Sequence, residues 1–284
     1  MEREELLCLL STALFGMAVW VAALALDKFP SRPVISERRA WWALVAPLFV
    51  GLMTTAFLAG WALQEPDPTD EWASGLTWAI AGWMSAGLIR ALWRSWLAAR
   101  TPRLENTPVA TLGLFRHRIV VSPVFVEAAG PAVLAAALSH ELAHKQAHDP
   151  VRIWLAQFFA DLQWPVPGTA KRLRTWLLAL EMRRDDEAVA NGAGPMTLAE
   201  AIILAARLGN NFSIPRARAA GSSREISARV QRLIEAKDPV LHRDRARASH
   251  LTAPGALVIC LGTSLWLGFI YGERLLAFFP GIIR

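Results

Sequence analysis

Four uncharged, apolar stretches constrain this chain more than any other feature of it. They run from Leu6 to Leu26, from Ala40 to Gln64, from Trp72 to Ile89 and from Leu251 to Gly272. Each approaches or exceeds the roughly 20 helical residues needed to cross a bilayer. The third stays apolar to about Trp93 if Arg90 snorkels to the interface. Tryptophans near the ends of the runs (Trp41, Trp42, Trp61, Trp72 and Trp96) suit an interfacial belt. With 54% of the 284 residues in the set AVILMFWYC, disordered, collagenous and disulfide-scaffold classes are excluded. The expected fold is a mainly α membrane protein. Three transmembrane helices would occupy residues 1–97, an α+β domain would occupy 98–250, and a fourth helix with a short tail would occupy 251–284.

Loop charges give these spans a direction. The segment 27–39 carries Lys28, Arg32, Arg38 and Arg39, whereas 65–71 carries Glu65, Asp67, Asp70 and Glu71 and no cation. Arg90, Arg94, Arg100 and Arg103 follow the third run. By the positive-inside rule the N-terminus lies outside and residues 98–250 lie in the cytoplasm, as in a bacterial inner-membrane protein. Orientation thereby accounts for most of the net charge of +6, and nucleic-acid binding is not expected. The first run does not read as a cleaved signal peptide, because Met1-Glu-Arg-Glu-Glu is acidic and the apolar core is too long. The two cysteines, Cys8 and Cys260, lie in apolar runs and read as packing residues.

The middle of the chain changes character. Two short strands are expected about a turn, one after Thr107-Pro108 and one over Arg118–Ser122. Helical patterns follow from Pro131 to a stop at Asp149-Pro150, then over 151–162, 169–191, 197–208 and 223–236. The segment Val151–Trp164 is too short to span a bilayer. It can lie against the membrane or pack as a core helix.

The helix from Pro131 carries His140-Glu141-Leu142-Ala143-His144, an H-E-x-x-H pattern. Spacing i, i+4 puts both imidazoles on one helical face, where they can share a Zn²⁺ ion. Glu141, one position along, can reach a water at the metal without ligating it, which is where a general base belongs. A catalytic zinc needs a third protein ligand and one open position. His148 continues the same face, but a straight helix carries it about 6 Å beyond His144. Glu181 is the better candidate. It shares a helical face with Asp185 at i+4, and Ala188 allows close approach one turn on. That arrangement suits a ligating carboxylate with an orienting carboxylate behind it. Asp149 can accept a hydrogen bond from a ligand imidazole or cap nearby backbone. His117, His242 and His250 are the remaining histidines for a cationic helper.

His140-Glu-Leu-Ala-His144, Asp149 five residues on and a downstream Glu-x-x-x-Asp-x-x-Ala resemble the gluzincin integral-membrane peptidases. Within these the chain is similar to the BlaR/MecR-type antirepressor peptidases. The likeness rests on the span order, the run Leu112-Gly-Leu-Phe-Arg-His-Arg-Ile-Val-Val-Ser-Pro123 and Asp185-Asp-Glu-Ala-Val189. The resemblance implies a zinc endopeptidase with His140, His144 and Glu181 as ligands and Glu141 as base. Its substrate would be a cytoplasmic or membrane-proximal protein, and the bilayer, a separate sensor or a second copy would be its partners. Arg184-Asp185 stands where the family carries Cys-Asp, and sliding the alignment by one would put Met182, a poor zinc ligand, at the third position. The penicillin-binding sensor domain of such receptors does not follow the last apolar run, so a β-lactam receptor is not expected. An inactive zincin-like scaffold and an HtpX-like quality-control protease are the other readings.

Overall fold

Helices account for most of what can be described in the structure, a computed structural model. It describes residues 36–62, 75–100, 108–114, 116–163, 168–210, 223–235 and 262–271. In chain order, α1 is Glu37–Ala62, α2 Gly75–Arg100, β1 Val109–Leu112, β2 Arg118–Val121 and α3 Pro123–Ala128. Then come α4 Pro131–Gln146, α5 Asp149–Leu162, α6 Thr169–Ala190, α7 Pro195–Asn210 and α8 Ser223–Glu235. Residues 262–271 form α9.

The local reasons are visible in the sequence. Ser122 caps α3 by accepting from the Phe125 amide at 3.1 Å, and Pro123 and Pro131 each occupy a first helical turn. Asp149-Pro150, read from sequence as a helix stop, opens α5 instead. A proline's missing N–H leaves nothing unsatisfied in a first turn. β1 and β2 pair antiparallel from Val109↔Val121 to Leu112↔Arg118. Gly113 turns the chain between them at φ +99°, where a side chain would collide with the Arg116 carbonyl.

Three apolar clusters hold these elements. Leu44 and Val45 of α1 meet Ala156 and Ala160 of α5 and Trp176 and Leu180 of α6. Ala136, Ala188, Leu198 and Leu233 join α4, α6, α7 and α8. Phe125, Val133, Ala137 and Ala201 form a third cluster, on which Val109 and Val121 of the hairpin pack. Helix α4 therefore runs through the middle, with the hairpin, α5, α6 and α7 around it. Helix α5 packs against α1, α2 and α6, as a core helix does.

The expected architecture of four transmembrane helices around an α+β domain is corrected by the structure. Among the described residues no helix is long and apolar enough to cross a membrane, and the sheet content is one two-stranded ladder. The described parts of the apolar runs pack as follows. Helix α1 opens with Glu37-Arg38-Arg39, contains Pro47 and gives Leu44 and Val45 to packing with α5 and α6. Helix α2 carries Arg90 and Arg94, which stand 4.0 and 3.0 Å from the buried Asp161 of α5. The described part of the last run, 262–271, is about 15 Å long. The first run, with Cys8, and Cys260 lie outside the described residues.

Candidate metal centre

Alanines flank both histidines on α4, so the helix can sit close to its neighbours. Ala136, Ala137 and Ala143 are buried, and with them His140, Glu141 and His144. Helix α6 crosses alongside and brings Glu181 to the same point. His140 Nε2 and His144 Nε2 lie 3.1 Å apart, and Glu181 reaches them at 3.5 Å (Oε2 to His140) and 3.6 Å (Oε1 to His144). Together these three residues could hold a metal ion.

Two observations test that fit. Ligands about 2.0–2.1 Å from a tetrahedral centre lie about 3.3 Å from one another, and the three observed separations straddle that value. The outer ring nitrogens also both face carboxylates. His144 Nδ1 is 2.8 Å from Asp149 Oδ2, and His140 Nδ1 is 3.0 Å from Asp185 Oδ1. A carboxylate at Nδ1 favours the proton there, which leaves both Nε2 lone pairs and the Glu181 oxygens facing one another. Such a cluster of acceptors is stabilised by a cation or by protons at its centre. The residues fit a divalent metal.

The charges around the site are arranged accordingly. Burial disfavours the charged form of His144, but Glu181 and Asp149 outweigh it and push its pKa up to about 10. His140 is raised in the same way, against burial, by Asp185 and Glu181. Burial would raise Glu181 too, yet Arg229 and the two imidazoles hold it well below the usual carboxylate range. Asp185 is held near 2 by Arg229 and His140 despite its burial.

Glu141 turns aside from the ring pair. Its Oε2 and its main-chain oxygen each lie 2.8 Å from the Thr111 hydroxyl of β1. The hairpin thus contributes a residue that aims the carboxylate.

Asp149 is fully buried. Besides His144 it accepts from Arg152 NH1 at 2.8 Å and from Arg184 through both Nε and NH2. Of the two roles open to it from sequence, it holds the imidazole. His148 is exposed, adopts a left-handed backbone conformation (φ 57°) and lies outside the cluster. Helix α4 has already ended at Gln146, so no straight helix continues to His148. His117 packs beside His148, ring centroids 5.0 Å apart, while His242 and His250 lie outside the described residues. Met182 is buried beside Glu181, and its carbonyl accepts from Arg232.

Sequence reasoning missed Thr111 and Arg229. Arg229 of α8 binds Asp185 through Nε and NH2 at 2.8 and 2.7 Å and reaches Glu181 Oε2 through NH1 at 2.9 Å. Arg232, one turn on, pairs with Asp186 at 2.6 Å. The signal available in the sequence was Arg229 and Arg232 at i, i+3 facing the acidic run of α6. The matching of two distant helices could not be read locally. Compared with protein-family models, curated proteins and solved structures, the chain shows no match.

Proposed function

We propose that the protein is a zinc-dependent endopeptidase, with His140, His144 and Glu181 holding the metal and Glu141 acting as general base. The observation that supports this reading is the convergence of two imidazole Nε2 atoms and a carboxylate within 3.1–3.6 Å, with a base one residue from the first ligand. When bound, zinc would supply Lewis acidity, polarising a scissile carbonyl and acidifying the water that attacks it.

The chain's own residues would do the rest. Glu141, with Oε2 held by the Thr111 hydroxyl, takes the proton of the attacking water on Oε1 and delivers it to the departing amine. Asp149 and Asp185 keep the imidazoles in the tautomer that presents Nε2 inward. Burial of His140, Glu141 and His144 thins the solvent around them and strengthens each of these interactions. Among the described residues the β1–β2 ladder has two strands, to whose edges an extended polypeptide can add. A protein substrate is the class this geometry suits.

Metal analysis of the purified full chain, paired with cleavage of a peptide library, tests the reading. One zinc per chain is expected, with loss of metal in His140→Ala. Glu141→Gln should retain the metal while cleavage falls by about 10²–10⁴-fold. Cleavage undiminished in Glu141→Gln, or no metal bound by the parent chain, would overturn it.

A further inference from the structure

A closed ring of six alternating charges lies behind His144. Glu37 of α1 pairs with Arg152 of α5 and, at 2.7 Å, with Arg183 of α6. Arg152 pairs with Asp149 at 2.8 Å, and Asp149 pairs with Arg184. Arg184 pairs with Glu187, whose other oxygen takes Arg183 Nε at 3.1 Å and closes the circuit. Three carboxylates and three guanidinium groups balance, and Glu37, Asp149 and Arg184 are buried. Only one member, Glu37, comes from outside α5 and α6. It joins α1 to the ring.

We infer that Glu37 is a positioning residue of the metal site, acting on His144 through Arg152 and Asp149. The inference rests on the metal-centre reading above. The physical reason is competition for one carboxylate. Asp149 is shared among His144, Arg152 and Arg184. While Glu37 holds Arg152 and Arg183, their charge is divided between two anions, and Asp149 keeps an oxygen, Oδ2, on the imidazole. Without Glu37, Arg152 has Asp149 as its remaining anion in the ring and draws it away from His144. Arg183 then leans more on Glu187, which weakens the hold of Glu187 on Arg184, and Arg184 leans more on Asp149. Seating of α1 therefore tightens the grip on His144 through Arg152 and Asp149.

Zinc affinity of the full chain, measured by competition with a chromophoric chelator, tests this. Partners one shell behind a ligand typically tune metal affinity about 10–100-fold. Asp149→Asn is expected to fall in that range, and Glu37→Gln, two contacts further out, to lose about three- to tenfold. Glu37→Asp should recover part of the loss, and Glu127→Gln, on the exposed face of α3, should bind as the parent does. In an Asp149→Asn background, Glu37→Gln should add nothing, because its route to His144 is already cut. If Glu37→Gln does not fold, the same cycle is run with Glu37→Asp. A purely structural Glu37 would lower the melting temperature of the chelated protein and leave zinc affinity within twofold of the parent. That result, or equal losses in both backgrounds, overturns the inference. A parent chain that binds no zinc overturns the metal-centre reading itself, and this inference with it.

Discussion

Under the proposed peptidase reading Glu141 would serve as a base only while its carboxylate is aimed, and the Thr111 hydroxyl of another element holds that carboxylate. A hydrogen bond to a charged group contributes about 1.5–3 kcal/mol, so Thr111→Val should slow turnover about 10- to 100-fold. Zinc stoichiometry should be unchanged, and Thr111→Ser should restore most of the rate. Steady-state kinetics with metal analysis on the three chains checks this. Arg229 is the counterpart on the other side of the site. It faces Asp185 and Glu181 from α8, and truncating it leaves the buried Asp185 and the half-buried Glu181 without their guanidinium. Arg229→Met should destabilise the chelated protein by about 3–5 kcal/mol, read by urea denaturation. The loss should shrink when zinc is added, because a dication takes over neutralisation of Glu181.

Helices α1 and α9 approach each other backbone to backbone. A Cβ at Gly60 would collide with the Leu265 carbonyl, and one at Gly268 with the Phe57 carbonyl. Ser264 Oγ bridges the same contact by donating to the Met53 carbonyl at 2.8 Å. Small residues are what permit this crossing, so Gly268→Val should destabilise by about 1–3 kcal/mol through overpacking. Gly82 of α2 has open space around its missing side chain. Gly82→Ala should stabilise by about 0.5–1 kcal/mol by restricting the unfolded chain. Melting temperatures of the two variants should move in opposite directions. The connection from α4 to α5 shows a similar economy. Helix α4 ends at Gln146, His148 takes the left-handed turn, and Asp149 enters α5 already pointing back at His144.

Among the described residues, buried carboxylates and arginines gather around the candidate metal centre, and they set the response to acid. Glu37, Asp149, Glu181 and Asp185 are all held below their ordinary values, by arginines and imidazoles that outweigh burial. A carboxylate with a lowered folded-state pKa adds stability that is complete above its unfolded pKa, about 4. That stability is lost as pH falls through the folded value, about 2 for Asp185. His140 and His144, raised in the fold, add stability that is complete only below their unfolded value, about 6.5. Urea midpoints of the metal-free chain should therefore rise modestly from about pH 8 to about pH 5 and fall steeply below about pH 4. Glu37→Gln should be less stable at pH 7 and converge on the parent as Glu37 protonates. Periodicity and spacing were enough to read H-E-x-x-H on one helical face, the hairpin and the helices of the central region, because those patterns are local and repeat every two or three to four residues. Asp185, expected behind Glu181, instead faces the His140 ring and Arg229. Hydrophobic length suggested spanning helices for the runs at Ala40–Gln64 and Trp72–Ile89, whereas among the described residues no helix is long and apolar enough to cross a membrane, because a count of apolar residues does not register where each helix starts and stops. Packing of α1 and α2 on α5, the left-handed turn that removes His148, and the arrival of Thr111, Arg229 and Glu37 at the site were settled in three dimensions. Those contacts join residues 30 to 146 positions apart, and no local pattern in a chain encodes which of its many arginines will meet which carboxylate.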